Sequence, residues 1–81
     1  MRAGLVQLTA SDDPEANLPV TRAAVAEAVS RGAGLVLTPE VTNCVSASRT
    51  HQRAVLRPEA EDATLAALRE DAARHGIWLL I

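Results

Sequence analysis

The sequence predicts an α/β fold with the element order β-α-β-α-β, and three observations carry that expectation. Short aliphatic runs at 2–9, 34–38 and 77–81 alternate with two longer segments of near-helical period. Each helical segment closes on a glycine directly before an apolar run, as Ser30-Arg31-Gly32 and Arg74-His75-Gly76. Apolar residues occupy both alternating sets within the strands, the pattern of strands covered on both faces. Such alternation implies a parallel sheet with right-handed crossovers.

The first strand is expected over Arg2 to Thr9, with Leu5, Val6 and Leu8 as its apolar content. Ser11-Asp12-Asp13-Pro14 breaks it with turn and cap residues. A helix follows, whose stripe is Leu18, Ala24, Val25, Ala28 and Val29. Pro19 is costly in a helix interior but tolerated in a first turn, which places the helix start near Asn17 or Leu18 with Asn17 as N-cap. Gly32 ends it. Gly34 to Thr38 is the second strand, and Val41 to Arg57, rich in Ser, Thr and Asn, reads as a loop. A second long helix is expected from about Asp62 to His75, with Leu65, Leu68 and Ala72 on one face and acids at its start, where the helix dipole favours them. Gly76 closes that helix, and Ile77-Trp78-Leu79-Leu80-Ile81 is the third strand, with Trp78 in the core.

Composition excludes several classes of function. A hydrophobic fraction of 48% is too high for disorder. A net charge of -2, all eight basic residues being arginine, with one Trp and no Tyr or Phe, argues against nucleic acid and anionic membranes. No secretory leader is visible, and no apolar run approaches the ~20 residues that span a bilayer. The single cysteine excludes an internal disulfide and fits a reducing, cytoplasmic setting.

The most informative segment is Leu35-Val36-Leu37-Thr38-Pro39-Glu40, a buried strand that stops at proline and then presents a carboxylate. In open α/β sheets ligands bind beyond the carboxyl ends of the strands, so Glu40 is a candidate general base. The competing reading is a strand-end carboxylate in a salt bridge. Cys44, four residues on in the same loop, has no separate strand end to aim it, and reads as a buried or pocket-lining residue ahead of a nucleophile. His51 and His75 lack ligand-spaced partners, so no metal is expected. His51 reads as a surface loop residue and His75 as a helix C-terminal one. Arg49, Arg53 and Arg57 recur every four residues and read as a solvated face.

Taken together, the opening Arg2-Ala3-Gly4-Leu5-Val6-Gln7-Leu8, Asn17-Leu18, Arg31-Gly32-Ala33-Gly34-Leu35-Val36-Leu37, Thr38-Pro39-Glu40 and Gly76-Ile77-Trp78-Leu79-Leu80 resemble the start of the nitrilase, or carbon–nitrogen hydrolase, superfamily. The resemblance implies an α-β-β-α sandwich of which residues 1–81 are the N-terminal part of a single, longer domain. It implies hydrolysis of non-peptide C–N bonds by a Glu-Lys-Cys triad, with Glu40 at the glutamate position and the lysine and cysteine downstream of Ile81. Val41-Thr42-Asn43-Cys44 is similar to amidase branches that place an asparagine soon after the glutamate, which puts Asn43 and Cys44 at the substrate pocket. Where many members have an aromatic residue near Thr42 and a tyrosine after the asparagine, this chain has Thr42 and Val45-Ser46. The resemblance further implies a small linear amide as substrate, no cofactor, and a homo-oligomer.

Two expectations follow for the 81-residue chain. With one triad member present, it should be inactive alone. Two helices can cover only one sheet face, so the other should expose apolar side chains. The alternative is a small non-catalytic α/β module that binds a partner through that open face.

Overall fold

The computed structural model describes residues 1–81, and the expected parallel β-α-β-α-β order is observed. Strands β1 (Ala3–Leu5), β2 (Leu35–Leu37) and β3 (Trp78–Leu80) lie side by side in chain order. Helix α1 (Pro14–Ser30) joins β1 to β2, and helices α2 (Arg49–Val55) and α3 (Ala63–His75) lie between β2 and β3. Because strand order follows chain order, both crossovers turn the same way. Helices α1 and α3 therefore share one face of the sheet and pack against each other.

The ladders are shorter than the apolar runs. Pairing aligns Ala3, Leu35 and Trp78, then Gly4, Val36 and Leu79, then Leu5, Leu37 and Leu80. Single backbone bonds extend it at each end, Gly34 N–H to the Arg2 carbonyl at 2.8 Å and Thr38 N–H to the Leu80 carbonyl at 3.0 Å. The middle row faces the helices: Val36 is completely buried and joins Val25 and Ala33 in the core, with Val6, Ala28, Val29, Ile77 and Leu79 around them. Gly4 lets β1 approach α1 closely, since a Cβ there would stand 2.9 Å from that of Ala28.

The outer rows face away from both helices. Leu5 is 81% exposed, Trp78 72% and Leu80 57%. The open apolar face is thus present as expected, but the placement of Trp78 in the core is corrected. Strand side chains alternate, and it is Leu79 that turns inward.

Both long helices end in the same way, for a reason the sequence carries. Gly32 and Gly76 have φ of +93° and +64°, values that suit glycine. Ala33 N–H bonds the Ala28 carbonyl and Gly32 N–H that of Val29; Ile77 and Gly76 repeat this with Ala72 and Ala73. These are Schellman turns, which occupy carbonyls otherwise left without donors.

The start of α1 differs from expectation. Asp13 is the N-cap, its carboxylate accepting from Glu15 N–H at 3.0 Å, and Pro14 takes the first helical position. Pro19 consequently lies inside the helix. It cannot donate to the Glu15 carbonyl, an exposed position where solvent can serve instead. Pro19→Ala should therefore stabilise the fold by about 1–2 kcal/mol, the gain in helix propensity less the entropy restored to the unfolded chain. A rise in thermal midpoint checks this; a fall would mean that the helix depends on a bend at Pro19.

The segment expected as a loop over Val41 to Arg57 contains α2. Ser48 caps it, its Oγ accepting from His51 N–H at 3.2 Å. No residue of α2 is buried, so no apolar stripe announces it. His51 accordingly lies on a helix and not in a loop. No helix of the chain is long and apolar enough to cross a membrane.

The α1–α3 contact is partly ionic. Asp71, 1% exposed, accepts from Arg22 Nε at 2.8 Å, from Arg22 Nη2 at 2.7 Å and from Arg74 Nη2 at 2.7 Å. The buried stripes are Asn17, Thr21 and Val25 on α1 and Thr64, Leu68 and Asp71 on α3. Val25 and Leu68 are shared with the apolar stripes read in the sequence, and Ala28 and Val29 pack on the core as expected; the polar residues Asn17, Thr21, Thr64 and Asp71 widen the buried faces.

Candidate active site

All three strands are parallel, so their carboxyl ends share one rim, and β2 runs out over it into Thr38-Pro39-Glu40. The bond from Thr38 N–H to the Leu80 carbonyl holds the end of β2 against β3. Proline at 39 ends the ladder, since it has no N–H to give. Glu40 follows on the rim, exposed to solvent. Every ion pair of the chain lies elsewhere, and Glu40 takes part in none. The salt-bridge reading of Glu40 is not what the structure holds.

The backbone beyond Glu40 is unusual. Val41 has φ of +53°, the only non-glycine residue with a positive value. For a β-branched side chain this is a true outlier, costing on the order of 1–3 kcal/mol. It folds the loop back so that Thr42, 6% exposed, reaches the strand end. Thr42 Oγ1 lies 3.0 Å from Thr38 Oγ1 and also hydrogen-bonds the Pro39 carbonyl. Glu40 thus sits at the tip of a tight turn pinned at its base.

The next residues meet the β1–α1 loop. The Asn43 carbonyl accepts from Asn17 Nδ2 at 2.8 Å, and Val45 N–H donates to the Ser11 carbonyl at 2.9 Å. Asn17 also bonds Ser11: its Oδ1 accepts from the Ser11 N–H at 2.9 Å and Oγ at 3.0 Å, and its Nδ2 donates to the Ser11 carbonyl at 2.8 Å. Asn17 is therefore a buried bridge within α1, not its N-cap.

Cys44 is 7% exposed, and its Sγ lies 3.5 Å from the Asp12 carbonyl, which also receives His51 Nε2 at 2.6 Å. Arg49 and Arg53 are exposed on α2, and Arg57 Nη1 donates to the Ala54 and Leu56 carbonyls. No three His, Cys, Asp or Glu side chains group closely enough to hold a metal.

A cleft of about 380 Å3 opens beside the Glu40 turn, lined by Val41, Thr42 and Asn43 on one side and by Asp62, Thr64, Leu65, Leu68 and Ile81 on the other. Asn43 is thus on its wall; Cys44 and Glu40 are not. A groove of similar size, about 400 Å3, runs between β1 and α1 and shares no residue with the Glu40 loop. The rim cleft is the candidate substrate site, because it adjoins the turn that carries Glu40 and lies at the carboxyl ends of the strands, where α/β sheets bind ligands.

The parallel three-stranded sheet with helices between its strands, and an acid without an ion pair at its carboxyl rim, places the chain among α/β proteins. More particularly, residues 2–81 match the carbon–nitrogen hydrolase family, and the chain belongs to that family. No curated protein and no solved structure matches it.

Proposed function

We propose that this chain is the N-terminal part of a hydrolase domain that cleaves small linear amides to carboxylate and ammonia, and that Glu40 is its general base. The observation that carries the proposal is the position of Glu40: on the carboxyl rim, solvent-exposed, without a cationic partner, on a turn pinned at its base. Family membership supplies the reaction class.

In the Glu-Lys-Cys chemistry that the resemblance implies, Glu40 takes the proton of a cysteine thiol, which is mostly protonated at neutral pH and attacks only as thiolate. The thiolate adds to the amide carbonyl, a lysine stabilises the oxyanion, and the C–N bond breaks as Glu40 passes the thiol proton to the nitrogen, which leaves as ammonia. Glu40 then activates water to release the acid from the thioester. The chain has no lysine, and its one cysteine is turned toward the Asp12 carbonyl. Nucleophile and oxyanion donor must come from further residues of the domain, and the open apolar face of Leu5, Trp78 and Leu80 is suited to packing against them. Asn43, on the cleft wall, is placed to contact substrate, and Cys44 supports the loop behind it. The assembled protein works as a cytoplasmic homo-oligomer and needs no cofactor.

The test is direct. The 81-residue chain assayed with simple aliphatic amides should release no ammonia above background. Turnover by this chain that disappears on Cys44→Ser would make Cys44 the nucleophile and overturn the division of the triad proposed here.

A further inference from the structure

We propose that Asn17 is a positioning residue for the Glu40 turn, its carboxamide tying the segment after Glu40 to the β1–α1 loop; the proposal rests on the reading of Glu40 as the base. Asn17 lies within α1 at 8% exposure. It does not cap the helix, since Asp13 does. Burying an amide costs free energy unless it is hydrogen-bonded, and an aliphatic side chain of similar size would fill the same space without that cost. Here all of the carboxamide's ordinary capacity is used: Oδ1 accepts from Ser11 N–H and Oγ, and Nδ2 donates to the carbonyls of Ser11 and Asn43. Three of these bonds make Asn17 and Ser11 one unit. The fourth crosses to the Glu40 loop.

The crossing falls where the backbone needs it. Val41, directly after Glu40, is held at φ +53°. A costly conformation persists only when both of its flanks are fixed. The upstream flank is the end of β2, through Thr38 N–H and the Leu80 carbonyl. The downstream flank is Thr42 on the strand end, Asn43 on Asn17 and Val45 on the Ser11 carbonyl. Without the Asn17 tie one of the three downstream anchors is gone, the bonds of Thr42 and Val45 alone oppose the return of Val41 to extended backbone, and the turn that carries Glu40 loosens. Asn17 thus acts on the acid through the backbone and does not touch it.

The experiment is NMR on the 81-residue chain, reading amide hydrogen exchange and the intraresidue HN–Hα NOE of Val41, which is strong at positive φ. Asn17→Asp keeps the side-chain shape but removes both donated bonds. Ser11→Ala, at an exposed position, removes the hydroxyl's bond to Asn17 Oδ1 and the one it accepts from Asp13 N–H. Val25→Ala loosens the core without touching the loop. In Asn17→Asp, the Val45 amide, which bonds the Ser11 carbonyl, should exchange roughly tenfold faster relative to those of α3, and the Val41 NOE should weaken. Ser11→Ala should show a smaller change in the same sense. Val25→Ala should speed all amides together and keep the NOE. A Val45 amide that moves only in step with α3, with the NOE intact in both Asn17→Asp and Ser11→Ala, would overturn the proposal. Should Asn17→Asp fail to fold, Ser11→Ala decides alone: selective loosening supports the tie, and its absence refutes it. The catalytic role of Glu40 is decided separately, by turnover of Glu40→Gln in the complete enzyme.

Discussion

Replacing Glu40 by glutamine in the complete hydrolase should lower kcat by roughly 10²–10⁴-fold, the usual contribution of a positioned acid–base group. Glutamine keeps the length and polarity of the side chain but cannot accept the thiol proton. Because Glu40 makes no ion pair, its loss frees no partner charge, and stability should change little. That combination, turnover lost with the thermal midpoint unchanged, separates a catalytic acid from a structural one. Steady-state rates and a melting curve on the same preparation check it. Retained turnover would remove Glu40 from the mechanism, and lost turnover with a collapsed midpoint would make it structural.

The second large effect concerns stability. Asp71→Asn should destabilise the fold by roughly 2–3 kcal/mol, somewhat below the cost of breaking a fully buried pair, because the side chains of Arg22 and Arg74 are 37% and 59% exposed. The hydrogen bonds from Arg22 hold the Asp71 carboxyl below its ordinary value of 3.8, against the opposing effect of burial, with the charges of Arg22, Arg74 and His75 acting in the same direction as the bonds. A lowered folded-state pKa means that the unfolded chain binds the proton more readily. The stabilisation is then fully present above about pH 4 and is lost as pH falls through the folded-state value. Urea denaturation of wild type at pH 7 and pH 3 should show a fall in midpoint, of which Asp71→Asn loses the part due to this group. Equal pH dependence in the two proteins would contradict the assignment.

How much could be read in advance is clearest element by element. The glycines after Arg31 and His75 were informative because a Schellman turn needs a left-handed residue, and glycine marks it in the sequence. Glu40 could be placed because a proline at the end of an aliphatic run fixes where the strand stops. The start of α1 was misplaced, although Asp13-Pro14 carries the signature of an N-cap followed by proline at the first helical position. The weight given to avoiding an interior proline hid it. Asn17 reads as a cap in the sequence, but Asp13 is the cap and Asn17 bridges two loops from inside the helix. Its partners Ser11 and Asn43 lie 6 and 26 residues away, and only the tertiary fold brings them together.

Other features left no local trace. Helix α2 buries none of its residues, so periodicity could not find it; Ser48 was its only signal. The Arg22–Asp71 pair spans 49 residues, and the apolar stripes, which correctly marked Val25, Ala28, Val29 and Leu68 as core-facing, gave no sign of it. The turn of Val41 into the left-handed region runs against the preference of a β-branched residue, and no sequence rule predicts it. Local preference fails there because the surrounding bonds of Thr42 and Asn43 outweigh it, at the position next to the candidate base.

Glu40 as the base that creates the thiolate can be tested without waiting for turnover. The measurement is the rate at which iodoacetamide alkylates the nucleophilic cysteine of the complete enzyme at neutral pH, on a Cys44→Ser background so that a single active thiol is followed. With Glu40 in place alkylation should be fast, and Glu40→Gln should slow it by about tenfold or more, because the thiol loses its proton acceptor. Alkylation at an unchanged rate in Glu40→Gln would contradict the role given to this residue.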